Sequence, residues 1–263
     1  MTTIGILGVG GLAELMVRGL QGSGYRILLS PRGAQASARL AAAYGCEVAE
    51  SNQAVVDGAD GVFVSLPAAT GAEELARLSF RPGQPVLSAM AGTGLARLQS
   101  VIGRARGAVA MMPGYANALR MGPSILYPED GFWRDFLSKV GPVHGCDDEK
   151  TFTAAATFGA FSGATVGWMA HVIGWFEAQG LPANTARALV AGTLRGNAEV
   201  LLREDRPLDD IARGVTTPGG ITELLLATLA GREALAAWDE GLDRVLTRIG
   251  GEPISSKKSD RSL

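Results

Sequence analysis

The chain has 263 residues, enough for one large or two modest cores, and its 47% hydrophobic content is that of an ordinary globular protein. A net charge of −2 without a Lys/Arg-dense stripe excludes the electrostatic footprint of a nucleic-acid binder and points to small-molecule partners. Cys46 and Cys146 are far apart, with no Cys-x-x-Cys and no Cys/His cluster, so neither a metal site nor a disulfide framework is expected. The absence of a basic segment leading into an apolar stretch and cleavage site, together with the cysteine usage, points to a reducing cytoplasm.

Thr2–Leu7 reads as a short buried strand that runs into Gly8-Val9-Gly10-Gly11-Leu12-Ala13. A helix follows, with Leu12, Leu15, Met16, Gly19 and Leu20 at helical spacing. This context is that of a dinucleotide site. Gly8 allows the tight turn, Gly10 lets the backbone approach a pyrophosphate, and small Ala13 lets the helix pack on the strand. The helix N-terminus at Gly11 and Leu12 then faces the phosphates. A glycine-rich turn in some other α/β domain is the plainer alternative.

Tyr25–Ser30 reads as a second parallel strand, followed by Pro31-Arg32-Gly33. An acidic residue near this place binds the ribose 2′-hydroxyl of NAD, whereas this chain has Ser30 and Arg32. A hydroxyl and a forked guanidinium suit a 2′-phosphate, so the expected cofactor is NADP (NADPH). The alternative for Arg32 is a solvated loop charge.

A helix over Ala34–Tyr44 leads to Cys46–Ala49, and Ala54–Asp57 leads to a strand over Gly61–Pro67. Glu73–Leu78 looks helical, Pro85–Met90 extended, Leu95–Ile102 helical and Ala108–Pro113 extended. Such alternation predicts a doubly wound parallel sheet of the Rossmann type, with ligands beyond the carboxyl ends of its strands. Leu66-Pro67-Ala68, Ala89–Gly92 and Met112-Pro113-Gly114 would surround the nicotinamide half, with Leu66, Pro67 and Ala91 as contacts. Ordinary strand-end turn chemistry is the alternative.

Near Asp147–Lys150 the character changes to a long helical region with no Asp, Glu, Lys or Arg between Ala154 and Phe176. Its Ala, Gly, Ser and Thr content argues against a membrane span. Gly159, Gly163 and Gly167 recur every four residues, a smooth face for close approach by another helix of a partner subunit. Helices are predicted over Ala183–Arg203, Ile221–Ala230 and Arg232–Ile249, and their wide apolar faces call for completion by dimerisation. His144 is expected in a loop and His171 in an apolar core. Glu252–Leu263 has almost nothing to bury and is expected to be disordered. The domains are thus 1–148, a nucleotide-binding Rossmann-type domain; 149–250, an all-α dimerisation and substrate domain; and 251–263, a tail.

With both halves in view, the chain resembles the pyrroline-5-carboxylate reductase family over nearly all of residues 3–250. The similarity is carried by Gly8–Glu14 with Arg18-Gly19-Leu20, by Gly180-Leu181-Pro182, and most specifically by Val215-Thr216-Thr217-Pro218-Gly219-Gly220-Ile221-Thr222. The resemblance implies NADPH- or NADH-dependent reduction of a cyclic imine by a homodimer with intertwined C-terminal helices and active sites built from both subunits. It also implies substrate contacts from the amides of Gly219 and Gly220 and the hydroxyls of Thr217 and Thr222.

Two family motifs are altered. Met112-Pro113-Gly114 stands for Met-Pro-Asn, and Gly159-Ala160-Phe161-Ser162-Gly163-Ala164 stands for Gly-Ser-Gly-Pro-Ala-Tyr, which points to a changed pocket and another imine substrate. Hydride transfer to an iminium needs orientation and exclusion of water more than acid–base side chains. Thr222 is the expected catalytic group, accepting the iminium hydrogen bond or relaying a proton, and helix capping is the alternative for Thr217 and Thr222. The rival enzyme class is the β-hydroxyacid dehydrogenases and related imine reductases, whose helix Lys and Asn have no counterpart at Gly167, His171 and Trp175. A dimeric NADP-binding protein without turnover is the rival outside catalysis.

Overall fold

In the computed structural model, which describes residues 1–251, the apolar run Thr3–Leu7 forms β1, a strand buried along its whole length. A strand buried on both faces requires helices above and below it, which the alternating sequence supplies. In order follow α1 (Gly11–Gly19), β2 (Arg26–Leu29), α2 (Ala34–Tyr44), β3 (Glu47–Val48), α3 (Asn52–Gly58), β4 (Gly61–Val64), α4 (Ala68–Leu75), β5 (Pro85–Ser88), α5 (Leu95–Ile102) and β6 (Arg106–Met111). These strands lie parallel in the order β3-β2-β1-β4-β5-β6. The chain winds one way from β1 and the other way from β4, which opens a crevice beyond the carboxyl ends of those two strands. Alternation along β1 and β4 feeds two cores, Ile4, Ile6 and Phe63 on one face and Leu7, Val62 and Val64 on the other.

The far edge of the sheet departs from the expected parallel pattern. After α6 (Tyr115–Ala118), β7 (Ser124–Tyr127) pairs antiparallel with β6, and β8 (Val143–Gly145) pairs parallel with β7. His144, expected in a loop, therefore lies on edge strand β8, exposed. Between the two strands runs α7 (Gly131–Ser138), whose N-cap Asp130 accepts from the Phe132 and Trp133 amides at 2.9 and 3.1 Å. Trp133, Phe136 and Leu137 sit on one side of this helix and are fully buried, with the Trp133 and Phe136 rings edge to face at 5.5 Å.

The described chain forms two compact units, Met1–Gly159 with Leu246–Gly251, and Ala160–Val245. The first continues past residue 148 because α8 (Glu149–Ala156) buries Phe152 and Ala156 against the sheet core. Asp148 starts that helix by accepting from the Thr151 amide at 2.7 Å. The tail expected to be disordered, Glu252–Leu263, lies outside the described residues.

The second unit is built from α9 (Phe158–Ala178, from Ala160), α10 (Ala183–Arg203), α11 (Leu208–Gly214), α12 (Ile221–Ala230) and α13 (Ala234–Arg248, to Val245). Gly180, at φ +95°, makes the left-handed break after α9, as Gly180-Leu181-Pro182 leads one to expect. The three spaced glycines of α9 do not share one environment. A Cβ at Gly159 would lie 2.9 Å from Met111 Sδ in the first unit's core, whereas Gly163 and Gly167 face open space. His171 is exposed on α9 and is not the core histidine expected. Helices α9, α12 and α13 bury no residue, and Ile221, Leu224 and Trp175 stand in the open, an apolar surface of the kind that other chains cover. Among the described residues no helix is long and apolar enough to cross a membrane.

The Trp133 cluster is the test of how the sheet edge is held. Trp133→Ala is expected to destabilise the protein by about 3–5 kcal/mol in denaturant unfolding, the cost of a large cavity under β4 and β7. A loss under about 1 kcal/mol would mean that α7 does not anchor the edge.

Candidate functional site

The site on the first unit begins at Gly8, which ends β1 with φ +93°. A Cβ there would stand 2.7 Å from the Ser65 carbonyl oxygen and 2.8 Å from the Leu66 nitrogen, so only glycine fits. The Gly8 amide donates to Ser30 Oγ at 3.2 Å, and Ser65 Oγ donates to the Gly8 carbonyl at 2.7 Å. Ser30 follows β2 and Ser65 follows β4, the two neighbours of β1, so the turn is clamped from both sides. Gly10 is the N-cap of α1 and no side chain caps it. Cβ atoms built on Gly10 or Gly11 would meet nothing within 4 Å, so the approach to the uncapped N-terminus of α1 is clear. Ala13 and Met16 hold the opposite side of the helix on the sheet. Unpaired amides at a helix N-terminus, beside glycines that keep the approach clear, fit a pyrophosphate.

Ser30 is not where the sequence reading put it. It is 1% exposed, its Oγ accepts from Gly8, and its carbonyl accepts from Ser37 Oγ at 2.9 Å. Burial makes it a support of the turn and removes it from a 2′-phosphate at the surface. Arg32 lies at that surface, 65% exposed, with Nη1 2.9 Å from Glu74 Oε1 on α4. This hydrogen bond holds the Glu74 carboxyl below its usual range, against the opposing effect of burial. Arg32 is thus a positioned charge and not a free loop cation.

Leu66 is buried after β4, Pro67 is the exposed N-cap of α4, and Ala91 is exposed after β5. Ala91 lines a cleft at the ends of β5 and β6 with Gly92, Thr93, Met111 and Phe152. At the next strand end Gly114 adopts φ +77°, and its amide donates to Asn117 Oδ1 at 3.0 Å. Asn117 is fully buried and also donates from Nδ2 to the Gly122 and Val140 carbonyls at 2.8 and 3.3 Å. Sequence reasoning missed Asn117. Its signal was an amide three residues after a strand-end glycine, the spacing of a capping box.

Thr217, Gly219, Gly220 and Thr222 lie together in the second unit, in the turn that opens α12. Gly219 takes φ +72°, and its amide donates to Glu223 Oε2 at 2.6 Å. The Gly220 amide donates to the Thr217 carbonyl at 2.9 Å. Gly220 is the N-cap of α12, with no side-chain cap. Helix capping therefore does not explain either threonine, and neither hydroxyl takes a hydrogen bond among the described residues. In the same unit the Phe161 and Trp238 rings meet at 5.9 Å and line an apolar groove with Ala164, Leu242 and Val245.

With this geometry in hand, two family models match the chain. Residues 3–92 match NADP oxidoreductase coenzyme F420-dependent, and residues 149–250 match pyrroline-5-carboxylate reductase dimerisation. The chain is 31% identical over 251 residues to pyrroline-5-carboxylate reductase of Pseudomonas aeruginosa, covering 88% of this chain and 90% of that one. Among solved structures it is similar to 1-pyrroline-5-carboxylate reductase from Streptococcus pyogenes, with a TM-score of 0.85, 21% identity and coverage of 94% and 97%. It is also similar to Plasmodium falciparum pyrroline carboxylate reductase with NADP bound, with a TM-score of 0.83, 15% identity and the same coverage.

If the clamp at Gly8 shapes the phosphate site, Gly8→Ala must both strain the backbone and push β4 away. The expected result is a stability loss of about 1–3 kcal/mol and disappearance of the rise in Tm that added dinucleotide gives the wild type. Gly22→Ala shares the positive φ but points into open space, so it separates strain from displacement and should keep the dinucleotide response. A full dinucleotide response from Gly8→Ala would contradict the role of the clamp.

Proposed function

The chain belongs to the pyrroline-5-carboxylate reductase family, and we propose that it reduces a cyclic imine with NADPH in a pocket altered from the family pattern. The observation that carries this reading is the Thr217–Thr222 turn, which keeps the family's most specific segment and leaves both hydroxyls without a partner among the described residues. Phe161, paired with Trp238 where the family has glycine, and Gly114, where it has asparagine, support an altered pocket.

NADPH, when bound, supplies the hydride. The amides of Gly11 and Leu12 would hold its pyrophosphate, with Gly8 and Gly10 shaping the approach, and Arg32 would meet its 2′-phosphate. Leu66, Pro67 and Ala91 would flank the nicotinamide half. In the substrate the imine carbon gains the hydride, the C=N π electrons pass to nitrogen, and the nitrogen keeps the proton that made it an iminium. Thr222 Oγ accepts the iminium N–H hydrogen bond or relays that proton, and Thr217 helps to orient the ring. No His/Asp pair is needed, in keeping with the exposed positions of His144 and His171. The exposed apolar faces of α9, α12 and α13 support a homodimer with intertwined helices, and the free thiols of Cys46 and Cys146 are consistent with a reducing cytoplasm.

Loss of NADPH absorbance with a panel of cyclic imines tests the reading, and a panel with no active member would favour an NADP-binding protein without turnover. Arg32→Ala is expected to weaken NADPH on the order of ten- to a hundredfold in titration while NADH changes little. Equal effects on both cofactors would remove Arg32 from the 2′-phosphate. Thr222→Val with the best imine of the panel should lose at least about tenfold in kcat with NADPH affinity and Tm nearly unchanged. A drop in Tm with an unchanged rate would return Thr222 to a structural role.

A further inference from the structure

The turn whose Gly219 and Gly220 amides are the proposed substrate contacts already holds a carboxylate of the chain. Glu223 Oε2 accepts from the Gly219 amide at 2.6 Å, and the Thr217 carbonyl accepts from the Gly220 amide at 2.9 Å, so both amides are engaged. Glu223 is the third residue of α12, and a capping glutamate at that place ordinarily returns to the N-cap amide, here Gly220. It reaches past Gly220 to Gly219, one of the two amides an incoming carboxylate would use. Arg213, the nearest cation before the turn in sequence, is paired with Asp210.

We propose, resting on the imine-reductase reading above, that Glu223 determines substrate class: it fills the anion position of the turn and selects cyclic imines that carry no carboxylate. A substrate carboxylate would have to displace a charge-assisted hydrogen bond and then lie beside a like charge. An iminium without a carboxylate keeps that bond intact and brings an opposite charge toward it. Selection against one substrate by a charge that stays in place is a means of specificity that needs no new attractive contact. The unpartnered hydroxyls of Thr217 and Thr222 serve a neutral or cationic ring nitrogen equally well. The chemistry is unchanged: the imine and one proton take a hydride from NADPH and give the amine and NADP⁺, and any carboxylate is a spectator.

The test uses the full chain with 1-pyrroline and 1-pyrroline-5-carboxylate as paired substrates, together with calorimetric titration of cyclopentanecarboxylate in the presence of NADP⁺. Wild type is expected to show a kcat/KM at least tenfold higher for 1-pyrroline. Glu223→Ala should move that ratio at least tenfold toward the carboxylate-bearing imine and bind cyclopentanecarboxylate at least tenfold more tightly. Glu223→Gln keeps an acceptor for Gly219 but not the charge, and should fall between the two, which keeps the test open if the alanine variant folds poorly. Wild-type preference for 1-pyrroline-5-carboxylate, or an unchanged ratio and carboxylate affinity in both variants, overturns the proposal. Absence of NADPH oxidation with either imine overturns the reductase reading instead, and the carboxylate titration then still decides the role of Glu223.

Discussion

The left-handed turn at Gly8, held between Ser30 Oγ and Ser65 Oγ, is the constraint on which the first unit's site depends. β1 lies between β2 and β4, where the winding of the sheet reverses, so residues that follow both neighbours grip the turn at its carboxyl end. That grip fixes where α1 begins. With the helix start fixed, an uncapped N-terminus and open space at Gly10 and Gly11 follow, which is what the proposed phosphate site requires. A side chain at position 8 would collide with backbone and not with a movable side chain, so the neighbouring strand would have to shift.

What could be read from the sequence was what depends on short spacing. The Gly8–Ala13 pattern, the alternation of strands and helices up to β6, the Gly180 break and the start of α12 are all set by residues within a turn or two of one another. The edge of the sheet was hidden because β7 is four residues long, sits between Pro123 and Pro128, and pairs in the opposite direction, so no alternation marks it. Helix α7 did carry a signal in Trp133, Phe136 and Leu137, at helical spacing after Asp130. Ser30 was placed wrongly because the sequence shows that a hydroxyl ends β2 but not which way it faces. Only the tertiary contact with Gly8, 22 residues away, decides that. The pairing of Arg32 with Glu74 has the same character, since nothing local links β2 to α4.

The two units differ in how completely they satisfy themselves. The first closes two cores around one sheet, whereas the second leaves large apolar side chains of α9, α12 and α13 uncovered. Matching of residues 149–250 to a dimerisation domain gives that surface its physical reason, because a helical layer that buries so little alone gains its core from a second chain. The turn proposed to contact the substrate belongs to this second unit, so the proposal places substrate contacts on the helices that leave this apolar surface. In the same unit the Phe161 and Trp238 rings meet at 5.9 Å and Glu223 accepts from the Gly219 amide, while Gly220 remains the N-cap of α12.

In the proposed reaction a hydride passes from the nicotinamide C4 of NADPH to the carbon of a cyclic imine. Mass spectrometry of the amine formed by the full chain from NADPH deuterated at the transferred C4 position follows that hydride. One deuterium is expected in the product, on the former imine carbon. An unlabelled amine, or no amine from any cyclic imine while NADPH still binds, would contradict it.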